Sequence, residues 1–186
     1  MKRIFVVVLF LFATIGVSSV YGQEDKDKAA RELTRGQLEK LLDQVGPIMN
    51  VTFSRSQKQP FNYVGSLAKG LVNTESFEIV ITVSAKGTIT FRIYPHYKGA
   101  YINVDKVNDR TALMRLLLRL SDSAFLFWGA DEAGDIFTGY TFTLESGFPE
   151  EAITVVLRSI ANSDKFVGEM RPFLDAPAKP VTTKKP

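Results

Sequence analysis

His96 is the single histidine of the chain and stands among aromatic residues in Tyr94-Pro95-His96-Tyr97. It is the one imidazole available as a general base, and serine and aspartate are plentiful enough to complete a Ser-His-Asp set. The G-x-S-x-G elbow that would present such a serine is absent, and a histidine in this setting is usually packed or solvated. One histidine and no cysteine exclude a multi-histidine metal cage, thiolate zinc, iron–sulfur clusters, disulfides and cysteine nucleophiles. Asp131, Glu132 and Asp135 surround Gly134 and suggest calcium, but the EF-hand spacing with its distal glutamate is missing. Acidic residues beside glycine are ordinary hairpin-turn chemistry. Glu78, Asp135 and Glu145 are the candidates for a carboxylate pair of the kind that cleaves glycosides, which requires a separation of about 5–10 Å that sequence does not set. Asn50-Val51-Thr52 is a glycosylation acceptor pattern that arises easily by chance. These residues lead us to expect no enzyme, no metal and no cofactor.

Binding chemistry is better represented. Phe125, Phe127, Trp128, Phe137, Tyr140 and Phe142 lie close together in the chain. Strict alternation turns Trp128 away from Phe125 and Phe127, and Phe137 away from Tyr140 and Phe142. An aromatic residue on an open sheet face makes an exposed apolar patch, and such patches mark interfaces. Trp128, Phe137, Leu126 and Tyr94 are therefore the expected protein-binding residues of a sheet face. Arg115 and Arg119, on an apolar helix over 106–120, give a second candidate and a homodimer seam, although arginines bordering a buried stripe also form solvated edges or ion pairs.

The elements that must position these residues follow from periodicity. Leu38, Leu41, Leu42 and Val45 recur at i, i+3, i+4 and i+7 and predict a helix over 33–46, with Thr34 and Gln37 in capping-box spacing and Gly46-Pro47 as its end. Residues 48–54 read as a short strand, and 55–74 as irregular with a strand near 61–67. Phe77, Ile79, Ile81 and Val83 alternate with more polar positions. After the Ala85-Lys86-Gly87 turn, Ile89, Phe91 and Ile93 do the same, which predicts a hairpin. Asn108 or Asp109 caps the leucine-rich helix. The run 124–130, apolar on both faces, reads as a central strand. It is followed by the acidic turn and a strand carrying Ile136, Thr138, Tyr140 and Phe142 on one face. Pro149, with Glu150 and Glu151 at the positive end of the dipole, opens a last helix that residues 162–164 break or restart. The expected fold is α+β: an antiparallel sheet of about five strands with three helices mainly on one face, in the order α-β-β-β-α-β-β-α.

The ends differ in character from this core. Lys2 and Arg3 precede an uncharged run over 4–17, and Val20 and Gly22 suit a signal-peptidase cut before Gln23. The competing reading is an uncleaved anchor, since 4–22 is just long enough to span a bilayer. Export, to the periplasm or beyond the cell, is the expectation, with no stable membrane insertion after cleavage. Residues 23–32 read as a flexible lead-in, and 176–186, with three prolines and three lysines, as an extended tail. The formal charge of +3 resides in these ends: without Lys2, Arg3, Lys179, Lys184 and Lys185, segment 23–175 carries −2. A nucleic-acid-binding domain concentrates positive charge in its fold, so no nucleic-acid partner is expected.

The stretch VNDRTALMRLLLRLSDSAFLFWGADEAGDIFTGYTFTLESGFPEEAITVVLRSI contains a capped leucine helix, a hairpin with an acidic-glycine turn, and PEEAI opening the last helix. Over 33–174 this pattern resembles the YbjN-type sensory transduction regulators, which share a fold with type III secretion chaperones. The resemblance implies a non-enzymatic protein-binding or regulatory domain, often dimeric, and carries no catalytic or ligand residues with it. The expected function is thus an exported protein-binding module with a secretion-chaperone-like fold and an unidentified protein partner. The alternatives are a small-molecule or lipid-binding periplasmic domain and, behind it, a hydrolase using carboxylates or His96.

Overall fold

The computed structural model describes residues 15–175, with side chains from Lys26 onward. The expected tail at 176–186, and most of the expected export signal at 1–22, lie outside the described residues. The first helix, α1 (Ile15–Ile48), is longer at both ends than periodicity predicts. Residues 23–32, expected as a lead-in, are helical because Glu, Lys, Ala, Arg and Gln are all good helix formers. Thr34 accordingly caps nothing, and its hydroxyl donates back to the carbonyl of Ala30 within the helix. Leu38, Leu41, Leu42 and Val45 are buried, as their spacing requires. The helix runs past Pro47 to Ile48, and in the turn after it Asn50 adopts a left-handed conformation (φ 58°). There the amide of Val51 reaches back to the carbonyl of Gly46.

Seven strands follow: β1 (Ser54–Arg55), β2 (Asn62–Leu67), β3 (Ser76–Val83), β4 (Thr88–Tyr97), β5 (Ala100–Tyr101), β6 (Phe127–Ala130) and β7 (Ile136–Thr143). They form one antiparallel sheet in the order β1-β2-β3-β4-β7-β6, with β5 paired to the far end of β4. The expected strand at 48–54 shrinks to the two residues of β1, and the count rises from about five because β1 and β5 are too short to leave a period. Between β5 and β6 lies α2 (Arg110–Ser123), capped by the Asp109 carboxylate, which accepts from the amide of Ala112 at 3.0 Å. The last helix is divided into α3 (Glu150–Ser159), a 3-10 turn at Ile160–Ser163, and α4 (Asp164–Leu174).

Alternation in the strands sorts the two faces of the sheet. Phe77, Ile79, Ile81, Val83, Ile89, Phe91 and Ile93 are fully buried and form the core with the apolar stripes of the helices. Their neighbours on the opposite face are partly or wholly exposed along β3 and β4. All helices therefore pack on one face, in agreement with the expected class.

β6 corrects one expectation, because its apolar run does not make it central: it is an edge strand. Helices hide it instead. Trp128 meets Phe166 of α4 edge to face, and the Ser121 hydroxyl of α2 accepts from the Trp128 amide (2.7 Å) and donates to its carbonyl (3.0 Å). The outward edge at Trp128 is thus bonded within the chain, one of the ways proteins blunt an edge strand.

Candidate functional site

The uncovered face of the sheet brings together aromatic and charged side chains from five strands. Phe137 of β7 lies at the centre, with Tyr94 of β4 at 5.8 Å and Phe127 of β6 at 5.9 Å between ring centroids. The guanidinium of Arg92 sits over the Phe137 ring at 4.9 Å, a geometry that favours cation–π attraction. Two glycines make room for these rings. A Cβ at Gly129 would lie 3.4 Å from the Phe137 ring, and one at Gly139 would lie 3.2 Å from Phe127 and 2.4 Å from the carbonyl oxygen of Phe91.

Towards the end of β4 the cluster becomes polar. Tyr101 of β5 packs against Tyr94 at 5.6 Å and against His96 at 4.5 Å. Its hydroxyl donates to Oε2 of Glu78 at 2.8 Å, and the same oxygen lies 3.8 Å from Nε2 of His96. Burial first, and the neighbouring Glu78 carboxylate second, push the Tyr101 hydroxyl up to about 12. Burial also raises Tyr94, against the opposing pull of Arg92.

This geometry distributes the six expected binding residues over three places. Tyr94 and Phe137 belong to the uncovered face, but Phe137 is only 7% exposed and supports the cluster from beneath. Trp128 (5%) and Leu126 turn to the helix side and are core, so a sheet-face role for these two is withdrawn. The expectation placed all four on one face, whereas the alternation that separates Trp128 from Phe127 puts them on opposite sides. Arg115 and Arg119 are exposed on α2 beside Met114 and Leu118. Leu118, at 67% exposed, is an unpartnered apolar side chain. Phe127, Tyr101 and Glu78 complete the cluster although the sequence did not nominate them as binding residues. The signal for Tyr101 was Lys98-Gly99, where both residues adopt positive φ (54° and 77°) and fold β5 back along β4.

Of the catalytic candidates, His96 and Glu78 come together at 3.8 Å beside Tyr101, which also feels the charge of Asp135; the serine and Glu145 do not join them. Ser76 stands opposite His96 in the register, yet among the described residues no hydrogen bond joins their side chains. Glu145 follows Thr143, which pairs with Thr88, whereas Glu78 pairs with Tyr94. At roughly 3.3 Å per residue this places the two carboxylates far apart along β4. Asp131 accepts from the amides of Ala133 and Asp135, both at 3.0 Å, and Asp135 accepts from the side chain of Asn103 at 2.8 Å. These acids are occupied in building the turn. Arg110 pairs with Asp105 at 3.1 Å. Among the described residues no group of three or more acidic or histidine side chains is placed to hold a metal ion, and no helix is long and apolar enough to cross a membrane.

In comparisons with known proteins, no family model, no curated protein and no solved structure matches the chain.

Proposed function

We propose that this chain is an exported, non-enzymatic protein-binding module that docks its partner on the uncovered face of the sheet. The observation that carries this reading is the one-sided sheet: helices cover one face, and the other gathers Tyr94, Tyr101, Phe127 and Arg92 around a buried Phe137. Tyrosine, phenylalanine and arginine are the residue types enriched in protein interfaces, where a few such anchors dominate the energetics. Phe137 and the two glycines hold these anchors in place before a partner arrives, which lowers the ordering cost of binding. The resemblance to YbjN-type regulators and secretion chaperones supports the same reading, since the helix, strands, helix, hairpin, helix order is that of the resemblance. A homodimer through α2 is a second proposal, favoured by the exposure of Leu118 and Met114 beside Arg115 and Arg119.

The test starts from the full chain used as bait in the envelope fraction of its native host. A protein recovered in this way is then titrated against the chain and against the Arg92→Ala/Tyr101→Ala double variant. The expected loss of affinity is about tenfold or more, the effect of removing one or two interface anchors. Equal affinity of the variant and the parent would remove the sheet face from the proposal.

A further inference from the structure

A second site lies away from the uncovered face and does not rest on the reading above. A cleft of about 610 Å³ opens between α1 and the end of the sheet where β3 turns into β4, within the roughly 300–1,000 Å³ typical of small-molecule sites. Its walls are the Arg31, Leu33 and Thr34 side of α1, the turn from Val83 to Thr88, and the segment after β7 that includes Leu144 and Phe148. Leu33 is 67% exposed although it belongs to the helix that carries the core stripe, and Leu144 and Phe148 are half-buried. This is apolar surface that the fold leaves uncovered.

Four charged residues line the cleft, and they are not equivalent. Asp27, Lys86 and Glu145 are exposed at the rim. Arg31 is half-buried in the wall: its Nε donates to the carbonyl of Val83 at 2.8 Å, and its guanidinium carbon lies 3.5 Å from the centre of the Phe61 ring. These contacts fix the guanidinium plane and use Nε. Among the described residues no carboxylate pairs with Arg31, so its two terminal nitrogens keep the parallel N–H pair that matches an oxyanion. A partly desolvated guanidinium that no carboxylate pairs with among the described residues, next to exposed apolar surface, is complementary to a molecule that carries an oxyanion on an apolar chain.

We infer that the cleft binds a single-chain anionic amphiphile, with its oxyanion headgroup on Arg31 and its chain across Leu33, Leu144 and Phe148.

The test is an amide chemical-shift titration of the full chain with decanoate, decyl phosphate and, as the uncharged control, 1-decanol. Saturable shifts are expected for both anions at the Arg31–Thr34, Val83–Thr88 and Leu144–Phe148 segments, and the stronger anion identifies a carboxylate or a phosphate as the natural headgroup. Arg31→Gln is expected to weaken anion binding by about tenfold or more, the loss of a charge-assisted pair, and to leave decanol unaffected. Leu33→Asp, an exposed position whose change does not threaten folding, is expected to weaken all three. The inference is refuted by decanol binding as tightly as decanoate, by an Arg31→Gln variant with unchanged anion affinity, or by shifts confined to other parts of the sheet. None of these outcomes bears on the Arg92/Tyr101 test.

Discussion

Tyr101 shows how a single residue reports on the uncovered face. Its hydroxyl is pushed up to about 12 by burial and by the Glu78 carboxylate that accepts its hydrogen bond, against an ordinary value near 10. A hydroxyl raised in the folded state favours folding below the ordinary value, and that contribution is lost as pH rises through the interval from about 10 to about 12. Of the six tyrosines, Tyr63 and Tyr94 are also pushed up by burial. Tyrosinate absorbance followed against pH should therefore show a late-titrating group that loses one equivalent in Tyr101→Phe. In Glu78→Gln the Tyr101 midpoint should move down. A titration curve unchanged by both substitutions would separate Tyr101 from Glu78. Little of this pairing was legible in the sequence. The aromatic flanks of His96 were visible, but Glu78 and Tyr101 are 23 positions apart, and only the register of β3, β4 and β5 brings them together.

Among the elements, the long-range connections are made by polar side chains that periodicity does not reveal. Asp164 opens α4, where its carboxylate meets the positive end of the helix. It is buried and accepts from the amides of Val72, Asn73 and Thr74 at 2.8 to 3.0 Å, tying the loop between β2 and β3 to the last helix. Asp164→Ala leaves these amides without their acceptor and is expected to cost about 2–4 kcal/mol, read as a lower midpoint in urea unfolding. A loss below about 1 kcal/mol would show that water replaces the carboxylate without penalty. The β3–β4 hairpin, the cap at Asp109 and the opening of α3 at Pro149 were all readable, because each is specified by residues close in sequence. The length of α1 was not. Polarity at 23–32 was read as a flexible lead-in, although the same residues are strong helix formers. The edge position of β6 was also hidden, since burial beneath helices and burial between strands produce the same apolar run.

The whole molecule is a sheet with two unlike faces. One carries the apolar core that a domain without cysteines needs, since no disulfide supports it. The other carries rings and charges held in place by glycines and by a buried phenylalanine. The fold class was legible from alternation alone; of the residues the sequence nominates for a sheet face, Tyr94 and Phe137 lie on the face proposed as the docking site, while Trp128 and Leu126 turn to the helix side. The charge pattern belongs to this scale as well, with a core of −2 between basic ends, which fits a protein partner better than nucleic acid. The central claim is that a protein partner docks on the uncovered face. It is tested most directly by placing a photo-activated cross-linking residue at Tyr101 or Thr141 on that face, and at Arg158 on the exposed side of α3, in cells of the native host. The account predicts an adduct with the same second protein from Tyr101 and Thr141, and none from Arg158. An adduct from Arg158, with none from either position on the sheet, would contradict it.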